Sequence, residues 1–213
     1  MAMRLSYHRA VVKLIFLCVR RPGLTHVQYA THLLERHAPL ALRHHASLRR
    51  YVLNVVDADD EIDSVNALHY DALEDFEKRN YDSAEGERIV TEDHARFLGG
   101  AAGYLTQESV YRADSPGPPA GTRSPGVKWI CALRRSARLE TEFVPELLAD
   151  QPDVSSVVID RVERKLYEAG ADWDAFLEVR LASDEGSVSL RARIDRLTGA
   201  TAIWRVVEYV ERA

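Results

Sequence analysis

The chain has 213 residues, 46% of them hydrophobic and 29% charged, a composition that suits a globular protein with a sizeable core and excludes a disordered or fibrous chain. A formal net charge of −5 argues against nucleic acid as a partner, because phosphate neutralisation needs a clustered basic excess. The two cysteines, Cys18 and Cys131, stand far apart in apolar runs, so neither a disulfide framework nor a CxxC metal site is written here, and the cytoplasm is the expected compartment.

Residues 11–19 have strand composition. Lys13 interrupts the run and Arg20 and Arg21 follow it, the reverse of a signal peptide's charge order, and it is too short to span a bilayer. Neither a targeting segment nor a membrane partner is therefore expected. Pro22-Gly23 turns the chain, and Thr25 with Gln28 forms a capping box that opens a helix over 26–36. Tyr51 to Val56, Val65 to Asp71 and Tyr104 to Arg112 read as further strands. A second helix built on Ile89, Val90, Asp93 and Phe97 precedes the last of them. The glycines at 99, 100 and 103 fit a helix C-cap and turn.

The stretch from Ala113 to Gly126 carries four of the eight prolines and reads as a stiff linker. Beyond it the pattern returns: strand 127–133, helix 141–149, strands near 157–168 and 174–182, helix 186–196, strand 201–211. Val127-Lys128-Trp129-Ile130 followed by Arg134-Arg135 echoes Val12-Lys13-Leu14-Ile15 followed by Arg20-Arg21, a candidate internal repeat. The expected fold is α+β: two tandem ferredoxin-like βαββαβ units, residues 1–112 and 127–213 with the linker 113–126 between them, packed sheet to sheet around a cavity.

All eight histidines lie in the first half. Val27, Ala30, Leu34 and His37 share the apolar face of the first helix, which points His37 inward as a general acid or base, or as a partner for the last helix carbonyls. His69 and Asp71 share one strand face and Leu68 and Tyr70 the other; the first pair is an oriented acid–base pair if it faces the cavity, and a cross-strand polar pair if it does not. Asp93 on an apolar helix face is a site residue or an internal anchor, while His94 beside it is expected in solvent. His44-His45 lacks a second cluster at ligand spacing, so no metal is expected. The fingerprints GxSxG, GxGxxG, GxxxxGK, HExxH and CxxC are missing from the sequence.

Lys13-Leu14-Ile15, Arg20-Arg21-Pro22-Gly23-Leu24-Thr25, His37-Ala38-Pro39-Leu40, Arg50-Tyr51-Val52 with Asn54, Tyr70-Asp71-Ala72-Leu73, and Ser83-Ala84-Glu85-Gly86 leading to Asp93 and Phe97 together resemble the EthD domain family over residues 11–112. The resemblance implies the dimeric α/β-barrel superfamily, whose members include cofactor-independent monooxygenases, polyketide cyclases, decarboxylases, dehydratases, isomerases and heme-dependent dismutases. The second half departs from the family motifs and places Gln151 opposite His37, like a diverged repeat that has lost the site.

The expected function is that of an enzyme without a cofactor, acting by histidine acid–base chemistry on a small apolar, aromatic or polyketide-like carbonyl compound through cyclisation, dehydration, decarboxylation or isomerisation. His37 transfers the proton, His69, Asp71 or Asp93 orients it, and Tyr51 or Asn54 binds a developing enolate. The alternatives are a binding protein for a hydrophobic metabolite, a heme-binding protein and a cofactor-free monooxygenase. The assembly is a monomer with an internal pseudo-dimer, or a homodimer.

Overall fold

The computed structural model describes residues 12–58, 60–113, 121–134, 144–150, 153–185, 187–198 and 202–212. Residues 114–120 of the expected linker lie outside the described residues, as do 1–11, 141–143 of an expected helix, and Gln151.

Strand β1 (Val12–Arg20) is followed by a turn in which Gly23 takes φ +92°, a conformation that favours glycine. Helix α1 (His26–His32), a π-helical turn (Leu33–His37) and helix α2 (Ala38–His44) then run on without a break. Strands β2 (Arg50–Val56) and β3 (Ser64–Tyr70), helices α3 (Leu73–Arg79) and α4 (Ala84–Phe97) and the long strand β4 (Leu98–Arg112) complete the first half. The second half holds a two-residue strand β5 (Thr122–Arg123), then β6 (Val127–Leu133), α5 (Val144–Asp150), β7 (Val154–Lys165), β8 (Ala175–Leu181), α6 (Ser187–Thr198) and β9 (Ala202–Arg212).

The sheet order is β2-β3-β1-β4-β7-β8-β6-β9, with β5 on the edge of β9 and β2 paired to β9, so eight antiparallel strands close into a barrel. Within each half the strands fall in the same relative order, β2-β3-β1-β4 and β7-β8-β6-β9. Alternation divides every strand between the barrel interior and an outer face covered by helices. Ile15, Tyr104, Ile130, Phe176, Trp204 and Val206 belong to the interior cluster. Leu14, Leu53, Tyr70, Leu33 and Phe97 pack in the outer cluster of the first half; Trp129, Leu177, Val179, Leu147 and Ile194 pack in that of the second.

Three expectations change. The barrel interior is packed with side chains across the cluster of Ile15, Tyr104, Ile130, Phe176 and Trp204, since an eight-stranded barrel is about wide enough for its own side chains. What interior space remains, about 470 Å³, lies where Lys13, His69, Glu108, Lys128, Glu178 and Glu208 converge, so it is charged. The expected glycine turn is the start of β4: Leu98 is already extended (φ −91°, ψ 124°) after α4, and a Cβ on Gly99 would meet the Arg20 carbonyl oxygen at 2.4 Å. The first helix runs to residue 44, and α3 had no reading in the sequence.

Both lysines of the repeated motif point into the barrel. Lys13 Nζ donates to Asp160 (2.8 Å), Glu108 (2.8 Å) and Glu178 (2.9 Å), while Lys128 Nζ reaches Glu178 (2.5 Å) and Glu208 (2.6 Å). Burial works to lower the Lys13 pKa, but Asp160, Glu178 and Glu108 outweigh it and hold the ammonium charged. The two halves are thus pinned at Glu178, which accepts from both.

Candidate active site

The segment carrying His37 is shaped by its caps and by Pro39. The Gln28 N–H donates to Thr25 Oγ1 (3.2 Å) and the Thr25 N–H to Gln28 Oε1 (2.8 Å), which closes the capping box. Pro39 has no N–H to continue an α-helical ladder. The chain accommodates it with a wider turn in which the Ala38 N–H bonds to the Leu33 carbonyl, and Pro39 sits in the first turn of α2. Such π-turns recur at functional sites. Here the turn carries His37, which is buried. Opposite it, Ser83 caps α4 by accepting from the Gly86 N–H (3.0 Å), and the helix buries Val90, Asp93 and Phe97 along one face.

Asp93 joins the two helical segments. Its Oδ2 accepts from His37 Nδ1 (3.0 Å) and its Oδ1 from His32 Nε2 (2.9 Å). Desolvation works to raise its pKa, but the hydrogen bonds from His37 and His32 prevail and hold it at about 2, so it is a carboxylate. Since a carboxylate only accepts, Nδ1 of His37 carries a proton, and Nε2 is the ring nitrogen that Asp93 does not engage. The Phe97 ring fixes the imidazoles further, stacked on His32 at 4.7 Å and tilted against His37 at 4.9 Å.

His37 lines a cavity of about 250 Å³ between the helices and the outer face of the first-half sheet. Its walls are mainly apolar, with Phe16, Leu33, Leu68, Phe76 and Phe97 among them, and its polar groups come from His37, His45, His94, Tyr51, Asn66 and Asn80. The His94 ring lies 4.6 Å from that of His37. Burial, with smaller contributions from the neighbouring His37 and His45, pushes its pKa down to about 4, so it is neutral at pH 7. His45 is also lowered, by burial, and its Nδ1 donates to Asn80 Oδ1 (2.6 Å). Burial pushes the Tyr51 hydroxyl well above its ordinary range, so it stays a donor.

The predicted residues therefore divide. His37, Asp93 and Tyr51 meet at this cavity, His37 and Tyr51 in its wall and Asp93 behind His37. His69 points into the barrel with its pKa driven down to about 3 by burial and by Lys13. Asn54 shares the inward face with Val52 and Val56 and donates to the Val65 carbonyl (2.7 Å), away from the cavity. Asp71 lies beyond the end of β3 in an exposed ion pair with Arg49 (2.6 Å). His69 and Asp71 thus form no acid–base pair: the strand phase that turns Leu68 and Tyr70 toward the helices turns His69 into the barrel. His94, expected in solvent, is in the cavity wall.

Asn66, His45, Cys18 and Tyr167 line the cavity without having been singled out in the sequence. Asn66 was legible in principle, since it alternates with Leu68 and Tyr70. Tyr167 was not, because it comes from the second half, after β7, and its ring lies 6.4 Å from that of Phe16. Gly103 makes room for it: a Cβ there would stand 2.8 Å from Phe16 and 3.1 Å from Tyr167.

No family model and no curated protein matches the sequence. Among solved structures the chain is similar to an anthrone oxidase-like protein, with a TM-score of 0.66 and 12% identity over 97% of this chain and 94% of that one. It is also similar to a provisionally assigned monooxygenase from Fusobacterium nucleatum (TM-score 0.56, 7% identity, 97% and 95% covered). A mutant chlorite dismutase from Candidatus Nitrospira defluvii gives a TM-score of 0.54 at 10% identity, with 94% and 91% covered. No helix among the described residues is long and apolar enough to cross a membrane. At these identities the likeness establishes the fold, an α+β barrel with outer helices, over nearly the whole chain.

Proposed function

We propose that the chain is an enzyme that removes a proton from a small, largely apolar carbonyl compound of aromatic or polyketide type, with His37 as the base. The observation that carries this reading is the His37–Asp93 pair: Asp93 holds Nδ1–H at 3.0 Å and so leaves Nε2 as the basic atom of a residue that lines the cavity. A substrate C–H next to a carbonyl gives its proton to Nε2, and the charge passes to the carbonyl oxygen. The neutral His94 imidazole and the Tyr51 hydroxyl are the donors in the same wall for that oxygen. Cyclisation, dehydration and isomerisation begin with this step; decarboxylation reaches the same enolate by breaking the bond to CO2, after which a protonated His37 would return a proton to carbon.

The equal strand order of the halves and the paired lysines support reading the chain as two ferredoxin-like units, 1–112 and 127–213, joined by the linker 113–126, with the internal barrel replacing a dimer.

Proton exchange tests the reading without knowledge of the natural substrate. Anthrone and 2-tetralone incubated with the protein in deuterated buffer should exchange the hydrogens next to their carbonyls faster than in buffer alone. His37→Ala should reduce the enzymatic part by about 10²–10⁴-fold. Compounds that bind to both proteins and exchange in neither would make this a binding protein.

A further inference from the structure

We infer that Asn66 makes the cavity selective for aromatic ligands bearing a neutral hydroxyl group, which donates to Asn66 Oδ1. The inference rests on the reading of the cavity as the ligand site, and not on His37 as the base. Asn66 is 3% exposed, lies on the outward face of β3 between Phe16 and Leu53, and belongs to the cavity wall. Its Nδ2 donates to Ser64 Oγ (3.0 Å), and Ser64 Oγ is bonded to the Tyr29 hydroxyl at 2.7 Å. Nδ2 also donates to Cys18 Sγ (3.7 Å), and the acceptor is turned away from both. Among the described residues Asn66 Oδ1 finds no donor. A buried acceptor without a donor is costly, and a ligand that supplies one removes the cost.

The sheet itself does not require an amide here. Lys13 faces His69 and Phe16 faces Asn66 in the β1–β3 pairing; in the β6–β8 pairing Lys128 faces Arg180 and Cys131 faces Leu177. Counted from the two lysines, Leu177 is the register counterpart of Asn66, and Ala175 that of Ser64. The second half thus builds the same pairing with wholly buried apolar residues at both positions. The surroundings of the amide point to a ring as the body of the ligand, since Phe16 lies 6.0 Å from Phe76 and 6.4 Å from Tyr167, all three in the cavity wall. A neutral amide oxygen takes the hydroxyl in its protonated form and rejects the phenolate.

Binding of three probes, 1-naphthol, 1-methoxynaphthalene and naphthalene, to the full chain tests this, with titration followed by fluorescence. The wild type and His37→Ala should both bind 1-naphthol at least about 10-fold more tightly than either other probe. In Asn66→Leu and Asn66→Ala the three should agree within about 3-fold, with naphthalene binding retained as the sign of a folded cavity. Equal binding of all three to the wild type, or a preference that survives both Asn66 variants, overturns the inference while the cavity reading stands. Binding of none of them overturns both.

Discussion

The two helix-covered faces of the barrel share a strand order and differ in what they bury. On the first, Ser64, Asn66, Tyr51 and His37 interrupt the apolar packing around a cavity of about 250 Å³. On the second, Cys131, Leu133, Ala175, Leu177 and Val179 are wholly buried, and α5 and α6 close over them with Leu147, Leu190 and Ile194. Each such side chain removed from water adds roughly 1.5–3 kcal/mol, so the second face serves stability. Among the described residues the second face buries few polar groups, the Trp129 Nε1–Ser187 Oγ bond (3.2 Å) being one, so this architecture closes with little polarity under its helices. The polar groups of the first face are therefore additions made against the hydrophobic driving force, which is the physical reason to seek the chemistry there.

The strongest way to break this comparison is to remove the one carboxylate that organises the first face. Asp93→Asn leaves a side chain with a single acceptor to meet two imidazole donors, so the tautomer and orientation of His37 are no longer imposed. Proton exchange should fall by about 10²–10⁴-fold, while aromatic probes still bind. Nitrogen chemical shifts of the His37 ring should show the Nδ1–H form giving way to a mixture of tautomers. Loss of stability with unchanged exchange would make Asp93 only a brace between α4 and the π-turn.

The second test exchanges the character of the faces at the paired positions. Leu177→Asn puts an amide into a filled apolar cluster and should cost about 3 kcal/mol or more in urea unfolding, from lost burial and an unmet polar group. Asn66→Leu should cost less than about 1 kcal/mol, because with the hydrogen bond to Ser64 and the weak one to Cys18 it also removes an acceptor that has no partner. Equal costs would mean that Asn66 is as structural as Leu177.

Much of this asymmetry could be read from residue order, and the part that could not has definite causes. The run of β6 is apolar apart from Lys128 and stands between Gly126 and Arg134, so its limits were legible to the residue. His37 and Asp93 were legible because each breaks a helical apolar stripe, and a polar group on such a stripe needs a partner. Strand phase was not: alternation left His69 and Asp71 between two equivalent faces, Asn54 was offered beside Tyr51 although the two face opposite ways, and a shift of one residue reverses each assignment. The apolar cavity beneath the helices was also missed, because space was expected between two stacked sheets, whereas what the closed barrel leaves inside, about 470 Å³, is lined by charged groups. The part played by Tyr167 depends on contact across the two halves, which no local pattern carries.

The smallest effect concerns the barrel interior, where the halves differ again at matched positions. His69 stands opposite Lys13 and Arg180 opposite Lys128. Arg180 pairs with Glu208, whereas His69 is kept neutral, its pKa lowered to about 3 by burial and the neighbouring Lys13. A histidine with an unfolded pKa of about 6.5 and a lower folded value binds protons more readily in the unfolded chain. Stability should therefore decline as pH falls below 6.5 and continue to decline until the folded value is reached. His94, at about 4, and the lowered His45 act in the same direction. Between pH 6.5 and 4.5 the share of His69 is about 1–2 kcal/mol, within a window that ends above the carboxylates held at about 2, Asp93 and Glu208. Urea unfolding across that window should show a shallower decline for His69→Gln than for the wild type. Parallel slopes would mean that His69 is protonated inside the barrel, and that the interior treats the two halves alike.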